Sequence, residues 1–219
     1  MSLVLHAHPL SSYCQKVLTA LYEAGTKFEF RAVEFGNPAS VAALAALWPM
    51  KRMPVLVDNG TAILESTIII EHLDLVHPGP RRLVPADPRA AIEARLMDRI
   101  FDNYVMTPMQ KIVFDALRPA DARDTLGVAA ARTQLDTIYA WLDAKLAGRQ
   151  WAAGAEFGLA DCAAAPALFY ADWCHALPAG HENLRAYRAR LLARPSFARA
   201  VDEGRPYRHL FPLGAPDRD

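Results

Sequence analysis

Apolar positions in this chain change their period twice, and the changes mark out its elements. Leu3-Val4-Leu5 is a short β-prone run, and Pro9 discourages an early helix. Cys14, Val17, Leu18 and Leu21 then recur at spacings of three and four, which predicts a helical face, with Gly25 as its stop. Phe28 to Val33 alternates as a strand should, Gly36-Asn37-Pro38 breaks the chain, and Val41 to Trp48 reads as a short helix ended by Pro49. Met53-Pro54-Val55-Leu56-Val57 is an apolar strand. Asp58-Asn59-Gly60 is a hairpin turn, and Ile63-Leu64 is the returning strand. A helix follows in which Ile69, Leu73 and Val76 share a face before His77-Pro78.

Beyond this point the alternating period does not return. Four prolines and Arg81-Arg82 between Pro78 and Pro88 read as a linker. Asp87-Pro88 is a helix start, with Asp as the cap and Pro in the first turn. Ile92, Leu96, Ile100 and Tyr104 mark a stripe, and Pro108 interrupts it. Further stripes are Ala131, Leu135, Ile138, Leu142 and Leu146, then the Ala-rich segment from Leu159 to about Cys174. Leu184, Tyr187 and Leu191 give another helix, and Ser196 to Val201 a short last one. The tail from Gly204 onward carries no helical stripe. The order strand, helix, strand, helix, hairpin, helix, followed by helices alone, predicts a thioredoxin-like α/β domain over residues 1–78. A linker over 79–87 and an all-α bundle over 88–219 complete the expected organisation.

Charge and cysteine usage narrow the function classes. Lys plus Arg and Asp plus Glu number 24 each, which leaves no electrostatic footprint for nucleic acid or an anionic membrane. No uncharged apolar run is long enough to span a bilayer. Three cysteines without disulfide or metal spacing point to a reducing, cytoplasmic setting. His6 and His8 alternate on a strand but have no Cys or carboxylate cluster beside them, so no metal is expected.

The candidate chemistry sits where the first strand turns into the first helix. Ser11 or Ser12 stands at the helix N-cap, near free backbone N–H groups and the positive end of the helix dipole, where an anion such as a thiolate is stabilised. Cys14, on the apolar stripe, reads as a packed and inert thiol.

Four motifs in register resemble the cytosolic glutathione transferases over essentially the whole chain, the serine-based classes best. They are Leu10-Ser11-Ser12-Tyr13-Cys14, Trp48 to Leu56, Glu65-Ser66 with Ile68 to Leu73, and Gly158-Leu159-Ala160-Asp161. The resemblance implies glutathione as co-substrate, with Ser11 donating to its sulfur and Ser12 as runner-up. It implies that Met53 offers backbone groups to the cysteinyl part, through a cis bond to Pro54. Glu65 and Ser66 would hold the γ-glutamyl end and Lys51 the glycyl carboxylate. An apolar electrophile to be conjugated, or an organic hydroperoxide to be reduced, would lie against Leu10, Tyr104, Met109 and Trp173, and the protein would be a homodimer. A glutathione-dependent isomerase or dehalogenase, or a non-enzymatic binding protein of the same fold, are the other readings. The paired serines resemble the maleylacetoacetate isomerase class, where a cysteine follows them; here Tyr13 does. Gly158 departs from the family's Ser or Thr cap, which bears on stability and not on catalysis.

Overall fold

The computed structural model describes residues 2–219. Its sheet has the order β2-β1-β3-β4. The central strand β1 (Leu3–Ala7) is buried at every position and pairs parallel with β2 (Glu29–Ala32). It pairs antiparallel with β3 (Val55–Asp58), which in turn pairs with β4 (Thr61–Ile63). A parallel pair needs a crossover, and α1 (Ser12–Ala24) supplies it. That helix ends on Gly25 at φ 65°, the left-handed conformation that favours glycine. Asn59 and Gly60 both have positive φ, as a tight two-residue hairpin requires. The Met53–Pro54 bond is cis, as the resemblance implies. This is the thioredoxin-like arrangement expected from the order of elements.

Two details of this half differ from the sequence reading. Asn37-Pro38 does not break the chain but starts α2 (Pro38–Leu47): Asn37 Oδ1 accepts the N–H of Ala39 at 3.0 Å, and Pro38 fills the first turn, where no N–H is needed. In α3 (Ser66–Val76), Ile69, Ile70 and Leu73 are buried but Val76 is half exposed. Asp74 is the buried residue near that end. Its carboxylate accepts the backbone N–H of Leu83 at 2.6 Å and the Arg82 guanidinium at 2.7 Å. The connecting segment is therefore pinned, with Leu83 itself buried.

The rest is helical. Asp87 caps α4 (Pro88–Ile100) by accepting the Ala90 N–H at 2.8 Å. The chain continues through a π-helical turn at Phe101–Met106 into α5 (Thr107–Ala116). Pro108, which has no N–H to give, sits in the first turn of α5, and the wide turn before it absorbs the missing bond. The remaining helices are α6 (Thr125–Leu146), α7 (Leu159–Cys174), α8 (Glu182–Leu192) and α9 (Pro195–Gly204). Every residue of α7 except Trp173 is buried, and its alanines let neighbouring helices approach closely. On α6, Tyr139 takes the core position expected of Ile138, which is only partly buried. One continuous apolar core joins α1 and α3 to the helical half.

The expected stripe of α4 faces outward. Ile92, Leu96 and Tyr104 are exposed, whereas Ala91, Ala94, Met97 and Phe101 are buried, and Ile100 is the one stripe member that joins them. The tail is also more ordered than its composition suggests. It forms a 3-10 turn at Arg205–Leu210, buries Phe211, and ties Arg218 to Asp172. Among the described residues, no helix is long and apolar enough to cross a membrane.

Candidate active site

A cleft of about 810 Å³ opens between the sheet and the helices. Three segments of the sheet half form one side of it: the turn Leu10–Tyr13, the Trp48–Pro54 loop and Glu65-Ser66. The first and third are helix starts, so α1 and α3 both bring an N-terminus to the same space. The first-turn amides of a helix have no carbonyl partner within it, and the dipole adds partial positive charge, so each start attracts an anion.

Ser11 is the N-cap residue of α1, with extended dihedrals, yet its hydroxyl makes no capping bond. Its backbone is fixed at both ends, the N–H to His8 O at 3.0 Å and the carbonyl to Gln15 N–H at 2.9 Å. The hydroxyl lies in contact with Cys14, whose thiol is pushed up to about 11 by burial against the hydrogen bonds it makes. Ser12, the first helical residue, is buried and also lines the cleft. Glu65 has φ 66°, a conformation that costs a non-glycine residue free energy and is found preferentially at functional sites. Lys51, at φ 52°, and Arg52 bring two exposed cations to the loop side.

Beneath the α1 and α3 starts lies a charged network. Lys16, fully buried on α1, places Nζ 2.6 Å from Asp98 and 2.8 Å from Asp102, and donates to Thr67 Oγ1 at 2.9 Å. Arg99 reaches Asp98 at 2.7 Å and Asp102 at 2.5 Å. Burial raises the Asp102 carboxyl above its ordinary range, with Lys16 opposing. Burial likewise raises the Tyr13 phenol, and the nearby Asp102 pushes it the same way. The far wall is apolar, built from Met109, Val113, Phe114, Tyr170 and Phe211.

All the residues expected on the glutathione side line this cleft: Ser11, Ser12, Lys51, Met53, Pro54, Glu65 and Ser66. On the apolar side Leu10 and Met109 line it, and Tyr104 and Trp173 do not. Tyr104 is half exposed, because the π-helical turn rotates the residues after Ile100 away from a stripe drawn at 3.6 per turn. Trp173 packs behind the wall, its ring 4.6 Å from Phe169 and 5.1 Å from Phe211. Arg99, Asp102, Tyr170 and Phe211 were not singled out by the sequence. An aromatic directly before Pro212 in a polar tail is the signal that could have marked Phe211. His6 is buried in β1, and His8 accepts the Leu10 N–H on Nδ1 at 3.2 Å.

Comparison with known proteins gives a consistent result. Residues 5–81 match the model of the glutathione S-transferase N-terminal domain and residues 105–195 that of the C-terminal domain. The chain is 28% identical to a probable maleylacetoacetate isomerase of Vibrio cholerae over 94% of its own length and 98% of the relative's. It is similar to a glutathione S-transferase of Methylobacterium radiotolerans solved in complex with glutathione sulfonate. There the identity is 29%, the TM-score 0.80, and the coverage 92% of this chain and 95% of the other. A second enzyme, from Methylobacillus flagellatus with glutathione bound, is 25% identical at a TM-score of 0.82, covering 91% and 98% of the two chains.

Proposed function

This chain belongs to the glutathione S-transferase family, both of whose domains it matches in order, and on that premise we propose that it activates glutathione for attack on an apolar electrophile. A free thiol near pKa 8.5 is mostly protonated at neutral pH. A hydroxyl donating to the sulfur at a helix N-terminus favours the thiolate, and making the thiol ten times more acidic takes about 1.4 kcal/mol of such preference. Ser11 is assigned this role because its hydroxyl is left over from capping. Glu65 and Ser66 receive the γ-glutamyl ammonium and carboxylate, the Met53 backbone the cysteinyl unit, and Lys51 the glycyl carboxylate.

The observation that carries this reading is the convergence of two helix N-termini and an apolar wall on one cleft. Phe114, Tyr170 and Phe211 would receive the electrophile together with the expected Leu10 and Met109, in place of Tyr104 and Trp173. The test is direct. The purified protein should be retained on immobilised glutathione, be eluted by the free tripeptide, and conjugate an aryl halide. Failure on both counts overturns the assignment. Isomerisation of a maleylacetoacetate analogue is a second reading, favoured by the Vibrio relative. It starts from the same thiolate, and a substrate panel separates the two. A two-fold dimer, with the exposed faces of α3 and α4 at its interface, and a cytoplasmic setting complete the proposal.

A further inference from the structure

None of the side chains that line the cleft belongs to a second cluster, formed where the β3–β4 hairpin meets the end of α3. Asp58 is the last residue of β3, His72 lies within α3, and His77 follows its last residue. One carboxylate oxygen, Asp58 Oδ2, faces Nε2 of His72 at 2.9 Å and Nε2 of His77 at 2.7 Å. The other, Oδ1, accepts the side-chain amide of Asn59 at 2.9 Å. All three candidate donor atoms lie within 4.8 Å of one another.

We propose that Asp58, His72 and His77 bind one divalent transition-metal ion of the zinc type, with water completing its coordination. Two imidazoles and a carboxylate form a donor set that suits zinc and its first-row neighbours and not magnesium or calcium. Three protein ligands leave the fourth position of a tetrahedral ion to solvent. Solvent has access, since the His72 and His77 side chains keep 23% and 12% of their surface.

The geometry needs little change. Ligands about 2.0–2.1 Å from a tetrahedral ion stand roughly 3.4 Å apart. The two nitrogen-to-oxygen separations are shorter because each histidine nitrogen is hydrogen-bonded straight to the shared oxygen, and the two nitrogens stand within 4.8 Å of each other. An ion takes the place of the two bridging protons, each imidazole carries its proton on Nδ1 instead, and the rings open by about half an ångström. The single carboxylate offsets part of the ion's charge. The site is also braced. Asn59 holds the carboxylate in a one-oxygen mode, as outer-shell partners of metal ligands do. Asp58 itself is fixed in register with Leu3 on one side and Thr61 on the other.

The experiment uses the full chain without an affinity tag, stripped with a chelator and dialysed. Calorimetric titration with Zn²⁺ should show one equivalent bound with micromolar affinity, and Mg²⁺ should show none. Co²⁺ should give the visible absorption of a low-coordinate nitrogen- and oxygen-ligated ion. His72→Gln and His77→Gln should each weaken binding by about tenfold or more, with circular dichroism confirming the fold. Asp58→Asn should do the same. Because Asp58 is buried, its variant is the one that could fail to fold, and the two histidine variants then decide. Absence of saturable zinc binding would leave the cluster a hydrogen-bonded triad and overturn the proposal. Binding unchanged in both histidine variants would place the ion elsewhere and overturn it equally.

Discussion

The carbonyl oxygen of Leu83 lies 2.6 Å from the point where a side chain on Gly158 would begin. The same oxygen accepts the backbone N–H of Leu159 at 2.8 Å, so the connecting segment is seated directly on the start of α7. This explains why glycine stands where the family has a Ser or Thr cap. Half of the capping arrangement survives, since Asp161 accepts the Gly158 N–H at 2.9 Å. The missing hydroxyl would cost little by itself.

Gly158→Ser should therefore destabilise the protein, although serine is the better cap in isolation. A Cβ at that distance from a backbone oxygen forces a shift, with an expected loss of about 1–3 kcal/mol. Gly158→Ala should lose a similar amount. Thermal or urea unfolding measures it, and turnover per folded molecule should stay the same. A stabilised serine variant would mean that the Leu83 contact is not formed.

Ser11→Ala should still be retained on glutathione but conjugate slowly. Losing one hydrogen bond to an anionic sulfur is worth about 1.5–3 kcal/mol, or roughly ten- to a hundredfold in kcat/KM. The rate should keep rising at more alkaline pH than in the wild type, because the bound thiol then ionises later. Ser12→Ala should change the rate only a few-fold. The opposite ranking in the two pH–rate profiles would move the donor role to Ser12.

The three thiols should be silent in the native protein. Cys14 is pushed up to about 11 and Cys174 to about 12 by burial, and Cys162 is also raised by burial. A thiol whose folded pKa is raised favours the native state fully below its unfolded value, and that support drains away as pH climbs from about 9 towards 11. At pH 8 a thiolate-directed disulfide reagent should titrate none of the three, and all three after denaturation. Cys14→Ala should keep its conjugating activity. Rapid labelling of Cys14 in the folded protein would revive a redox role for it.

Much of this was readable from residue order because it depends on local chemistry. Asn59-Gly60 specifies its own turn, Asp87-Pro88 its own helix start, and Gly25 its own stop. The seven expected residues from Ser11 to Ser66 line the cleft, and it is the resemblance of their motifs to the family's, more than local chemistry, that points to them. What could not be read depends on distance in sequence or on a change of helical period. Lys16 gives no sign of its partners Asp98 and Asp102. Leu83 does not announce that it will sit on Gly158. Tyr104 was aimed at the cleft by a 3.6-residue stripe that a π-helical turn redirects. The same limit hides Asp58, His72 and His77, which meet only once the hairpin folds against α3.

The outward stripe of α4 leads to the last prediction. Ile92, Leu96 and Tyr104 are 67%, 47% and 50% exposed, and on α3 Ile68 and Leu75 are 53% and 70% exposed. Arg95 and Glu71 join the two helices through a paired hydrogen bond, 2.8 Å on each arm, so these apolar residues share one surface. A monomer gains nothing from presenting such a patch, whereas a two-fold contact buries it twice. The wild-type chain should elute at twice its own mass by gel filtration with light scattering. Leu96→Glu should shift it to the monomer, with the melting curve of the isolated chain changed by no more than about 0.5 kcal/mol because the site is on the surface. A wild-type protein that runs as a monomer at high concentration would leave this patch without its proposed partner.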